Sequence, residues 1–192
     1  MKRTILLFIT FSFSHNLGIS QTENNGNLSS PSGGISNYSG FFDFKYEESK
    51  DAIFLTVKKL NYEFLYVNSL SSGMGNNDIG LDRGQLGNER IVYFSKSGNK
   101  LMLIQPNLKY RSTSENYLEE RSINEAFAKS VLFGFPIIES SSSGYIIDLT
   151  PFLLQDAHGV SKRLDKLGEG EYRIDPTRSS VYLPRTKAFP KN

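Results

Sequence analysis

Residues 77–111 read NDIGLDRGQLGNERIVYFSKSGNKLMLIQPNLKYR, and a β-hairpin lies at their centre. Arg90–Ser95 and Lys100–Gln105 are short runs of β-branched, aromatic and aliphatic residues, the composition of a half-buried pleated surface. Between them, Lys96–Asn99 places Gly98 and Asn99, two residues that tolerate the positive φ a tight hairpin turn requires. Pro106 has no N–H to give a ladder and closes the second strand. Upstream, the glycine-punctuated segment Gly80–Gln85 sets the carboxylate of Asp82 beside the guanidinium of Arg83.

Working outward, Phe41–Glu48 (FFDFKYEE) alternates, with Phe42, Phe44 and Tyr46 on one face and Asp43, Lys45 and Glu47 on the other. Ser49–Asp51 turns the chain, and Ala52–Val57 (AIFLTV) returns as a more fully apolar strand, a second hairpin. Phe64–Val67 reads as a further strand, and the Ser- and Gly-rich run Ser69–Asn77 as a loop. Residues 41–105 are thus expected to form an antiparallel meander of about five strands.

Beyond Arg111 the character changes. Ser122 and Glu125 have capping-box spacing, and Ile123, Ala126, Phe127 and Val131 recur at helical intervals before Gly134 and Pro136. One amphipathic helix is therefore expected to pack across the sheet. Phe135–Ile138 and Tyr145–Leu149 flank a Ser-rich turn, a third hairpin. Thr150-Pro151 opens a short helix running to about Ala157 with Gly159 as its stop, and Ser161–Leu167 reads as another turn or two of helix. Tyr172–Leu183 is expected to be extended, interrupted by Pro176 and Pro184. The fold class that results is α+β: a largely antiparallel sheet of about seven strands, built from hairpins and a meander, with two or three packed helices.

The chain opens with Lys2 and Arg3, an apolar stretch Ile5–Phe13 too short to span a bilayer, and the small-residue end Gly18-Ile19-Ser20. Residues 1–20 are expected to be a signal peptide and the product to be exported, periplasmic or extracellular. Residues 21–40, rich in Ser, Asn and Gly, read as a flexible segment, and residues 41–192 as one domain. Of 22 basic and 20 acidic residues, two basic ones and no acidic one lie in the leader. The remainder is electrically balanced, which gives no footprint for nucleic acid or an anionic membrane. No later stretch has the length and apolarity of a transmembrane helix. Cysteine is absent, which excludes thiol catalysis and thiolate metal sites.

Histidine is scarce. His15 lies in the leader and His158 stands alone in Gln155-Asp-Ala-His-Gly159. A zinc site takes three or four ligands, so His158 reads as a histidine near a helix end rather than a ligand or a base. A Ser-His-Asp triad using Asp148 or Asp156 has no G-x-S-x-G elbow to support it. No catalytic, cofactor-binding or metal-binding residue is assigned. Six residues remain as candidate structural or interdomain contacts. Asp82 and Arg83 brace a loop or touch a polar ligand, with bracing favoured because Arg so often bridges backbone carbonyls within a fold. Asn107 and Arg111, with Tyr110 between them just beyond the hairpin, read as a loop clamp in preference to a substrate site. Arg178 and Arg185 read as a solvated edge or an interdomain contact.

Several ordered blocks carry a resemblance: Gly80–Gln85, Ile104–Asn107 with Tyr110-Arg111, Ala126-Phe127 with Ser130-Val131, and Gly134-Phe135. Asp148 with Thr150–Phe152, Asp156–Gly159, Arg178-Ser179 and Tyr182–Pro190 follow in order. Together, over nearly all of residues 60–192, they resemble the N-terminal domain, of unassigned function, of large exported bacterial zinc-dependent metallopeptidases of the Met-zincin kind. The resemblance implies a zinc site far downstream, in a H-E-x-x-H-x-x-G-x-x-H helix followed by a Met-turn, where the glutamate acts on metal-bound water. Nothing in residues 1–192 matches that motif. The chain is accordingly expected to be a non-catalytic front module, truncated before its peptidase domain. That domain is the implied partner, and zinc is expected only there. The rival expectation is a freestanding exported binding protein that keeps this domain alone.

Overall fold

The computed structural model describes residues 34–73 and 77–192. The leader expected over residues 1–20 and the start of the segment expected to be flexible, residues 21–33, lie outside the described residues. The strands are β1 (Ile35–Tyr38), β2 (Asp43–Glu47), β3 (Ala52–Val57), β4 (Phe64–Tyr66), β5 (Arg90–Ser97), β6 (Lys100–Gln105), β7 (Ser130–Ser141) and β8 (Gly144–Asp148). The helices are α1 (Tyr117–Ala126), α2 (Thr150–Leu153) and α3 (Val160–Lys166). All the strand pairings are antiparallel, in the order β1-β2-β3-β8-β7-β6-β5-β4. The α+β class with a largely antiparallel sheet therefore holds, with eight strands and three helices among the described residues.

The central hairpin forms with a tighter turn than its sequence implies. Ser97 pairs with Lys100, so Gly98 and Asn99 alone make the turn. Gly98 has φ 56° and Asn99 is not in the positive-φ region, the type II′ pattern with glycine first. The β2–β3 hairpin also forms, pairing Glu47 with Ala52. Its turn ends on Asp51 in the left-handed region, φ 46°, a conformation that Asp adopts more readily than most side chains. The third hairpin is β7–β8, with Ser141 opposite Gly144.

Four expectations are corrected. The meander breaks after β3: β4 lies at the far edge, and the β7–β8 hairpin fills the place beside β3. An apolar run such as Ala52–Val57, with Ile53 and Val57 buried, would be an aggregation-prone edge if left unpaired on one side. The helix expected from Ser122 onward starts earlier, capped by Asn116, whose Oδ1 accepts the Leu118 N–H at 3.0 Å. It ends at Ala126, and the following SVLFGFPIIESS becomes β7 because its aromatic and β-branched residues suit a sheet. Gly134 and Pro136 thus lie within a strand, and α1 buries no residue. Finally, residues 35–38 of the segment expected to be flexible form edge strand β1, which pairs with β2 from Ile35↔Glu47 to Tyr38↔Phe44. Tyr38 is held there by stacking on Phe44, centroids 4.4 Å apart. Gly159, expected to stop a helix, instead precedes α3 in the left-handed region.

The sheet curls around its core. Register shifts between Leu103 and Ile104 and between Ile137 and Glu139 bend it. Phe42, which leads into β2, consequently touches Phe64 of β4 and Phe94 of β5, at 4.9 and 6.0 Å between centroids. Phe135, fully buried, sits inside with Phe94 and Phe152 at 6.0 and 5.8 Å. Residues 181–192 then run across the gap between the two margins. Asp51 Oδ2 accepts the Val181 N–H at 3.1 Å, Phe189 O accepts the Phe41 N–H at 2.6 Å, and Asn192 bonds Leu65. Where this strap passes Gly40, a Cβ would meet the Phe189 carbonyl oxygen at 2.5 Å and its nitrogen at 2.9 Å.

Both obstacles are backbone and cannot rotate away. Gly40→Ala is expected to lower stability by about 1–3 kcal/mol, read as a lower urea midpoint. An unchanged midpoint would mean the strap does not seal the sheet.

Candidate functional site

A groove lies beside the Asp156–Gly159 block. α2 starts at Thr150, whose Oγ1 accepts the Ile53 N–H at 2.9 Å, while Asp148 Oδ1 accepts the Thr150 N–H at 2.9 Å. These bonds pin α2 to the β3–β8 pair. The chain leaves α2 through Asp156, whose carboxylate accepts the N–H groups of Val160 and Ser161 at 2.8 and 2.9 Å. That caps the first turn of α3. Burial disfavours the charged carboxylate, but these N–H groups and the Ser161 hydroxyl outweigh it and hold Asp156 below its ordinary pKa of 3.8.

A groove of about 620 Å³ opens between this block, the segment after β4 and residues 172–174. Tyr66, Phe152 and Ile174 give it apolar walls, and Asn68, His158 and Arg173 supply polar groups. Burial pushes the Tyr66 hydroxyl above its ordinary pKa, against a small opposing pull from Arg90. Asn68 Nδ2 donates to the Ala157 carbonyl at 3.2 Å and holds the groove's two sides together. His158 Nε2 is buried with no hydrogen-bond partner among the described residues. Chemically, the groove can seat an apolar or aromatic group against a polar rim. Among the described residues, no group of three or more His, Cys, Asp or Glu side chains is placed to hold a metal ion.

The six residues singled out by sequence fall in separate places. Asp82 begins a turn whose carbonyl accepts the Gln85 N–H at 3.2 Å, with Gly84 at φ 81°, the glycine position of a type II turn. Arg83 lies at the crest of that turn, exposed. The segment is anchored by its apolar neighbours, since Ile79 and Leu81 form a small core with Leu164 of α3. The Arg163 guanidinium also donates to the Ile79 carbonyl. Asn107 Oδ1 accepts the N–H groups of Lys109 and Tyr110 at 3.0 and 3.2 Å, and Arg111 Nε donates to the Leu108 carbonyl at 3.1 Å. Both line a groove against α1 with Ile123 and Phe127. Arg178 and Arg185 close two single turns, Pro176–Arg178 and Leu183–Arg185, and both are exposed. Asn68, Tyr66 and Arg163 escaped the sequence reading because each acts across a distance that no local pattern encodes.

A family model described as a domain of unknown function, DUF5117, matches residues 84–192. No curated protein and no solved structure matches the chain.

Removal of the Asp156 carboxylate in Asp156→Ala is expected to cost about 0.5–2 kcal/mol, the range for a lost helix cap. Because the folded-state pKa is lowered, the contribution is fully present above the unfolded value and disappears as pH falls through the folded one. Urea titrations of the parent and the variant should therefore differ at pH 7 and converge in the acid range below pH 3.8. A gap that persists undiminished in acid would assign the loss to packing instead.

Proposed function

This chain belongs to the DUF5117 family, and on that premise we propose that it is a non-catalytic N-terminal module of an exported zinc-dependent metallopeptidase. Its part there is to assist folding, shield the cleft or contribute to substrate binding. The observation that carries the reading is how the polar residues of the recurring blocks are used. Asn107, Asp148, Thr150 and Asp156 each accept backbone N–H groups of the fold itself. Residues that hold caps and loops in this way are engaged in shape, whereas catalytic groups converge on a space where a reacting atom fits.

Helix α1 gives further support. A helix that buries none of its residues gains little from its own propensity and is normally stabilised by packing. This one presents Tyr117 and Leu118 at 69% and 67% exposure in its first turn, and the stacked pair Tyr110 and Phe127, with centroids 4.1 Å apart, lies at its other end. Exposed large apolar side chains of this kind suit a contact surface, and a neighbouring domain of the same polypeptide fits it.

Sequencing the gene past the Asn192 codon tests the reading. An open frame that reaches H-E-x-x-H-x-x-G-x-x-H is expected. A stop codon there with no such frame behind it overturns the module and leaves a freestanding binding protein. The purified 192-residue chain is also expected to retain no stoichiometric zinc by elemental analysis and to melt at the same temperature with and without EDTA. One zinc per chain together with peptide hydrolysis would make it an enzyme in its own right.

A further inference from the structure

Strand β4 is only Phe64–Tyr66 and ends the sheet opposite β1. In its antiparallel pairing with β5, Phe64 lies opposite Val92, Leu65 opposite Ile91 and Tyr66 opposite Arg90. Alternate residues of such a ladder turn their backbone groups away from the partner, and here that residue is Leu65. Both its groups are engaged by one side chain. Asn192 Oδ1 accepts the Leu65 N–H at 2.7 Å, and Asn192 Nδ2 donates to the Leu65 carbonyl at 3.1 Å. A carboxamide carries the same acceptor and donor as a peptide group, so Asn192 stands where a residue of an adjoining strand would stand. Both bonds are solvent-exposed and can be exchanged for equivalent ones at little cost.

The surroundings suit an added strand. A groove of about 530 Å³ lies on the Leu65 side, lined by Leu65, Ile91, Pro106 and Leu108, and Leu65 itself is 46% exposed. The two neighbours of Leu65 border other depressions: Phe64 a small aromatic cleft with Phe41 and Tyr62, and Tyr66 the groove of the candidate site. A paired strand sends successive side chains to opposite faces, so it meets a recess on each.

We propose that the outer edge of β4 is a binding site for an extended peptide, which displaces the Asn192 carboxamide and pairs with the Leu65 backbone, placing apolar side chains at alternate positions in the flanking grooves. This is strand addition, in which main-chain bonds supply affinity and side-chain recesses supply selectivity. The inference does not depend on the peptidase reading, because it is argued only from the backbone groups of Leu65 and the recesses beside them.

The test uses the full ¹⁵N-labelled chain and the probe acetyl-KTLTVTK-amide, with the same peptide N-methylated at its leucine as control. The Leu65 amide resonance is expected to shift on titration and its hydrogen exchange to slow, while the N-methylated peptide, lacking the donor, leaves both unchanged. In Asn192→Ala the edge is open from the start, and the probe is expected to bind about tenfold tighter. Equal shifts with both peptides, or no shift in either protein at millimolar probe, overturn the proposal. Concentration-dependent broadening of Leu65 in Asn192→Ala without peptide would assign the edge to a second copy of the chain, and overturn it as well.

Discussion

The architecture depends on β3 finding β8. Phe54–Val57 pairs with Asp148–Tyr145, and the junction is reinforced where Thr150 Oγ1 accepts the Ile53 N–H across 97 residues of sequence. The Leu149 N–H returns to the Ile53 carbonyl at 2.8 Å. This seam fixes α2 over the core, carries Phe152 in against Phe135, and divides the sheet into two hairpin-built halves that can curl toward each other. Leu55, Val57 and Ile147 of this seam are apolar and buried, so loss of water contact holds it together with its ladder.

How far the chain could be read follows from the range of the interactions. The three hairpins were legible because each rests on a local signal: the Gly98-Asn99 turn, the alternation of Phe42, Phe44 and Tyr46, and the Ser-rich turn before Gly144. The strand order was not, since nothing local says that Ala52–Val57 must wait for Tyr145–Asp148. The stretch around Val131 misled because Ile123, Ala126, Phe127 and Val131 fit a helical period while the same residues end one element and begin another. Asn116, the residue that starts α1, acts through a side-chain cap that competes on equal terms with the Ser122 signal. Only the completed sheet, with Gly134 facing Met102, separates the two.

The candidate site was legible in part. Asn107 as a loop clamp rests on a short-range Asx turn, which its type and position announce. The groove beside His158 has walls drawn from the residues after β4, from the α2–α3 connection and from residues 172–174, three segments remote in sequence. Its residue types are ordinary, and only their assembly makes a recess.

The strap has a consequence for how the protein comes into being. Every strand of the described residues is complete by Asp148, whereas the contacts of Val181, Phe189 and Asn192 that bridge the margins come from residues 181–192, made later. During N-to-C synthesis, a finished but unsealed sheet precedes the closed one. In that interval Phe41, Phe42 and Phe64 lack the strap across them, the kind of transient apolar surface that invites aggregation. On a stalled or shortened chain, this aromatic seam is the feature that quality-control proteins would meet first.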